Sequence, residues 1–150
     1  MTAPFAEQKI VHGGHQSMPL AYNNTKAPFY SEATRDLGTA QDWTGHGATH
    51  QDLWFRGSSG GPGTPPNYPG PLYLTVTDKA GKSKTVSNPM NPVAVNMADW
   101  TEWRIRLSDL TGVSLTMVQK ITLRVSALSS KVGGTGLLYF DDIGFGHPIK

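Results

Sequence analysis

Three stretches of the chain alternate apolar and polar side chains with a period of two, and that rhythm restricts the fold more than any other feature. In Leu72–Thr77, Leu72, Leu74 and Val76 interleave with Tyr73, Thr75 and Thr77. In Thr101–Leu107, Trp103, Ile105 and Leu107 oppose Glu102, Arg104 and Arg106. In Ile121–Ala127, Ile121, Leu123 and Val125 oppose Thr122, Arg124 and Ser126. Successive residues of an extended strand point to opposite faces, so each stretch reads as a strand with one buried and one solvated face.

Further strands are expected at Gln8–Val11 and Ser17–Tyr22, around the turn at His12–His15, and at Phe29–Leu37, Asp52–Arg56, Ser83–Ser87 and Gly136–Phe145. The turn Asp78-Lys79-Ala80-Gly81 joins Leu72–Thr77 to Ser83–Ser87 as a hairpin. No long helix is expected; Ser114–Gln119 is read as one helical turn capped by Ser114. Eight or nine short strands, punctuated by 17 glycines and 11 prolines, predict an all-β sandwich or jelly roll. A length of 150 residues suits one domain spanning 1–150, large enough to bury a core without a metal or disulfide. The Pro/Gly-rich segment Gly57–Gly70 is a loop, and loops of that length inside a compact domain are commonly functional.

The chain has no cysteine, which excludes disulfides, thiolate zinc sites and cysteine nucleophiles. The net charge of +2, with no Lys/Arg cluster, argues against a nucleic-acid partner. No apolar run reaches the ~18 residues of a membrane-spanning helix, so membrane insertion is not expected. The first residues lack a charged n-region and a long apolar h-region, and no signal peptide is read in this chain.

Three segments carry a resemblance. The first is Gly13-Gly14-His15-Gln16-Ser17-Met18-Pro19-Leu20-Ala21-Tyr22. The second runs from Gln41-Asp42-Trp43-Thr44-Gly45 through Asp52-Leu53-Trp54-Phe55-Arg56-Gly57. The third joins Trp100–Leu110 (WTEWRIRLSDL) to Leu137-Leu138-Tyr139-Phe140-Asp141-Asp142-Ile143. In order and spacing they resemble galactose-binding-like jelly rolls of the carbohydrate-binding-module kind, found in large multidomain extracellular or surface proteins of bacteria. The resemblance implies a non-catalytic module, a glycan as partner, and a secreted or cell-surface location within a larger protein.

Two further expectations follow from it. In similar jelly rolls an Asp of the D-D-I strand helps hold a structural calcium ion. This implies Asp141 or Asp142 as ligands, with Glu7 and the turn at Gly14–Gln16 as partners; the plainer reading is that the pair caps a strand. Such modules also begin with an acidic strand, whereas here only Thr2–Gln8 is available, with Glu7 as its sole acid. A missing, shortened or shared first strand would leave an open N-terminal edge. The alternative function is therefore a structural, adhesive or self-assembling surface module that pairs through a donor strand, without a sugar ligand.

The strand faces supply the binding candidates. With Leu53 and Phe55 in the core, Asp52, Trp54 and Arg56 point away from it. In jelly-roll order the strands of Trp54 and Tyr73 fall in different sheets. Tyr73 and Arg124 are then expected to pair on one face, while Trp54, Arg56 and Arg104 line the other. Aromatic rings receive the C–H faces of sugars, and arginines fork onto hydroxyls or onto carboxylated and sulfated groups. Tyr68, on the flexible Pro/Gly loop, is a third candidate; it could equally fold over an apolar patch. The competing reading for all six is a solvated strand face. Trp43, Trp100 and Trp103 read as core or core-edge residues.

The spacings His12-x-x-His15 and His46-x-x-x-His50 can chelate, but they sit in Gly-rich turns and no H-E-x-x-H glutamate accompanies them. No G-x-S-x-G elbow, P-loop or dinucleotide fingerprint occurs. Glu32, Asp36 and Glu102 are the acids that sequence alone leaves open for a glycosidase pair.

Overall fold

The computed structural model describes residues 18–26, 29–44, 50–60, 63, 66–128 and 133–146, with the side chains of 18 and 142–146 left aside. The alternating stretches are strands, and their apolar halves face each other across two sheets. The strands are β1 (Met18–Asn23), β2 (Tyr30–Gln41), β3 (His50–Arg56), β4 (Leu72–Asp78), β5 (Ser83–Ser87), β6 (Thr101–Arg106), β7 (Val118–Ser126) and β8 (Thr135–Gly146). One sheet has the order β1-β8-β3-β6 and the other β2-β7-β4-β5. Every strand pairing among the described residues is antiparallel. The chain is an all-β sandwich, as the two-residue rhythm requires.

The core is the layer between the sheets. Leu53, Phe55, Trp103, Ile105, Leu138 and Phe140 enter it from the first sheet; Leu72, Leu74, Val76, Ile121, Leu123 and Val125 enter from the second, and all are buried. Phe55 and Trp103 meet edge to face, with ring centroids 6.4 Å apart and planes at 81°. Burying one such side chain contributes roughly 1.5–3 kcal/mol, which is why the apolar half of each strand settles which face turns inward.

The expected helical turn at Ser114–Gln119 is not there. The Met117 N–H bonds to the Ser114 carbonyl at 3.1 Å to close a tight turn, and Val118 already begins β7. Leu115 and Val118 both reach the core. Apolar residues three apart give the helical spacing, but here a turn followed by a strand produces it. The helical elements among the described residues are two short 3-10 turns, Ala94–Asn96 and Leu107–Asp109. The expected strand Gln8–Val11 lies outside the described residues, and so does the question of a missing or shared first strand. Among the described residues, β1 is an edge of its sheet and pairs with β8 alone.

Buried polar side chains pin the loops. Asp78 closes the β4–β5 hairpin by accepting the N–H groups of Ala80 at 2.9 Å and Lys82 at 3.0 Å. It also accepts the Ser114 N–H at 2.8 Å, which anchors the segment before β7. These bonds, the one from Ser114 foremost, hold its carboxyl below the usual carboxylate range. Asn67, buried in the 57–70 loop, donates to the carbonyls of Val95 at 2.8 Å and Leu137 at 2.9 Å and accepts the Leu137 N–H at 3.0 Å. The Pro/Gly loop is therefore stitched to β8 at this residue.

Candidate functional site

The outer face of the β2-β7-β4-β5 sheet is built row by row from strand register. Glu32, Arg124, Tyr73 and Ser87 stand side by side on β2, β7, β4 and β5. The next row is made wholly of threonine: Thr34, Thr122, Thr75 and Thr85. Beyond it come Asp36, Lys120, Thr77 and Ser83, and on the other side Tyr30 pairs with Ser126. The sequence puts these residues outward because their strand neighbours Leu72, Leu74, Val76, Ile121, Leu123 and Val125 are the buried half.

Arg124 organises this surface. Its Nε donates to Glu32 Oε1 at 2.9 Å, and its terminal nitrogen lies 2.7 Å from the same oxygen. Its guanidinium carbon sits 3.9 Å from the centroid of the Tyr30 ring, a cation–π stack that fixes both groups. In the threonine row the hydroxyls of Thr34 and Thr122 are 2.9 Å apart, and those of Thr75 and Thr85 are 2.7 Å apart. Each couple uses one hydroxyl hydrogen internally and leaves a donor and several lone pairs for solvent or a ligand. Asp36 accepts the Gly38 N–H and the Gln119 side-chain amide, both at 2.8 Å, and these bonds hold it below the usual carboxylate range.

The outer face of the other sheet holds the second candidate set. Trp54, Arg56 and Asp52 alternate on β3, half-buried, against the buried Gln51, Leu53 and Phe55. Register sets Arg104 beside Asp52 and Glu102 beside Trp54, with Asp141 on the far side of Trp54. Burial is the main cause that pushes the Asp52 carboxyl up to about 7; a hydrogen bond with the Glu102 carboxyl and that group's charge add to it, and Arg104 opposes it.

The expected division holds: Tyr73 and Arg124 are neighbours on one sheet, while Trp54, Arg56 and Arg104 lie on the other. Tyr68 belongs to neither set. Its backbone N–H bonds to the Thr135 carbonyl at 3.0 Å, and its carbonyl accepts the buried Tyr22 hydroxyl at 2.7 Å. Its ring lies so close over Gly134 that a Cβ there would stand 2.3 Å from the ring's Cγ. Tyr68 is thus held through its backbone, because Asn67 beside it is tied to β8, while the residue stays 38% exposed.

Sequence reading missed Tyr30, and it placed Glu32 only among the acids. The signal was weak because their inward neighbours on β2, Ser31 and Ala33, are small and give the strand little apolar contrast.

Of the expected calcium ligands, Asp141 is buried on the Trp54 side of β8. Glu7 and the Asp142 side chain lie outside the described residues. Among the described residues no group of three or more His, Asp or Glu side chains is arranged to hold a metal ion. Calcium takes six to eight oxygens, so its fit would depend on Glu7 and Asp142. No helix among the described residues is long and apolar enough to cross a membrane.

No protein-family model matches the chain, and no curated protein matches it in sequence. Solved structures do match it in shape. A family 30 carbohydrate-binding module of a cellulosomal cellulase of Clostridium thermocellum is similar with a TM-score of 0.64 at 12% identity, over 97% of this chain and 82% of that one. Another family 30 carbohydrate-binding module gives a TM-score of 0.63 at 12% identity, over 95% of this chain and 82% of that one. An exo-β-agarase gives 0.68 at 14% identity, over 97% of this chain but only 22% of that one. The protein therefore has the β-sandwich fold of carbohydrate-binding modules.

Proposed function

We propose that this chain is a non-catalytic carbohydrate-binding module that holds a poly- or oligosaccharide on the outer face of the β2-β7-β4-β5 sheet. The observation that carries the reading is Arg124, fixed by Glu32 and Tyr30 and standing beside Tyr73. An ordered guanidinium and carboxylate beside two tyrosines supply donors and acceptors for hydroxyls and aromatic surface for sugar C–H groups. Such groups bind best when already held in place, since little side-chain entropy is then lost on association.

A non-catalytic role is favoured by the acids themselves. Glycosidase carboxyls flank a bond at roughly 5–9.5 Å from each other. Asp52 and Glu102 instead lie close enough for Glu102 to help raise the Asp52 carboxyl, and Glu32 is engaged by Arg124. We read the chain as a module of a larger secreted or surface protein; the same fold forms 22% of an agarase chain. A structural calcium at Asp141, Asp142 and Glu7 is part of the proposal and contributes to folding, not to binding.

The test is affinity gel electrophoresis and titration calorimetry against soluble polysaccharides. Retardation by at least one glycan that is lost in Tyr73→Ala and Arg124→Ala, with wild-type melting behaviour, is the expected result. Retardation that survives both changes and disappears in Trp54→Ala would move the site to the other sheet.

A further inference from the structure

The charged groups on the proposed binding face cancel, and this extends the reading just given to a class of ligand. The outward charges of the four strands are Glu32 and Asp36 against Arg124 and Lys120. The Arg124 guanidinium makes two contacts with one Glu32 oxygen and covers the Tyr30 ring. Lys120 stands in register beside Asp36. The other side chains brought to this face by register are the row Thr34, Thr122, Thr75 and Thr85, together with Tyr73, Thr77 and serines. A sulfate or carboxylate arriving here would lose hydration and face Glu32 and Asp36, with Arg124 already engaged and Lys120 set beside Asp36.

We infer that this face takes an uncharged glycan chain, laid across the strands along the threonine row, and does not take sulfated or carboxylated glycans. The inference rests on the binding role proposed above. Hydroxyls both donate and accept, so four of them in a line match the hydroxyls of a neutral sugar in either sense. Tyr73 stands one row from the threonine row on β4, so a chain along the row runs beside its ring.

Threonine-row variants and a charge variant test this together. The double change Thr75→Val and Thr122→Val keeps β-branched shape and removes two hydroxyls. Wild-type and variant proteins are run against neutral polymers (hydroxyethylcellulose, laminarin, agarose oligosaccharides) and acidic ones (alginate, carrageenan), in about 0.05 M and about 0.5 M NaCl. The expected result is binding to a neutral polymer that changes less than about twofold between the salts and weakens about tenfold in the double variant. Glu32→Gln, which releases Arg124, should create retention by acidic polymers at low salt only. If the wild type prefers an acidic polymer in a salt-sensitive way, and Arg124→Ala removes it, the face is right and the ligand class wrong. If no polymer is bound at all by folded protein, the binding reading itself fails.

Discussion

Arg124 and Glu32 form an ion pair across β7 and β2 with side chains 41% and 36% exposed. At that exposure an ion pair contributes little to folding, about 0.2–1 kcal/mol. Its value lies in fixing the guanidinium over Tyr30. Glu32→Ala should therefore lower unfolding free energy in urea by less than about 1 kcal/mol, while weakening glycan binding by at least about fivefold. Paired urea titration and calorimetry on the same preparation check both halves. A large stability loss with intact binding would assign the pair to the scaffold.

Asn67 makes the opposite prediction. It is 5% exposed and makes three hydrogen bonds to the backbone of Val95 and Leu137. Asn67→Ala would leave buried carbonyls and an N–H without partners, at a cost of about 2–4 kcal/mol. Thermal and urea denaturation should show this, and binding on the far sheet should survive at temperatures where the variant is folded.

Two glycines separate steric from conformational need. A Cβ on Gly57 would lie 1.8 Å from the Val95 carbonyl oxygen, a backbone atom. Gly57→Ala should thus cost about 3 kcal/mol or more. Gly38 has a φ of +78° and open space around it, so Gly38→Ala should cost only about 1 kcal/mol, the price of a left-handed backbone for a residue with a Cβ. Urea midpoints of the two variants measure the difference.

Asp52 predicts a pH dependence of definite sign. Its carboxyl is raised to about 7 in the folded protein, against about 3.9 in an unfolded chain. Between those values the folded state holds a proton that the unfolded state has lost, so stability falls as pH rises from about 4 to about 7. After allowance for the group's partial solvent exposure, the loss is about 1–2 kcal/mol. Asp52→Asn keeps the hydrogen-bonding shape and removes the titration. The variant should gain on the wild type between pH 4.5 and pH 8 by about that amount in urea titrations. A constant difference across the range would contradict the raised carboxyl.

Most of the sandwich was legible because large apolar residues alternate with polar ones on β3, β4, β6 and β7. One period fixed the strands, the buried half and the faces of Trp54, Tyr73 and Arg124. Strand order came from the resemblance, and it separated the two candidate sets correctly. What failed had local causes. Ser114 looked like a helix cap, but it opens a tight turn that runs straight into β7. Tyr30 was hidden because the inward residues of β2 are small, and its stack with Arg124 is a contact between residues far apart in sequence. Tyr68 looked free because nothing in a Pro/Gly-rich stretch reveals that Asn67 is bonded to β8.

The central claim is that a sugar lies over Arg124 and Tyr73, and amide chemical-shift mapping tests it most directly. On titration of isotope-labelled protein with a neutral oligosaccharide, the shifts should cluster at Tyr30, Glu32, Tyr73, Thr75, Thr122 and Arg124. Shifts gathered instead at Asp52, Trp54, Arg56 and Arg104 would contradict it.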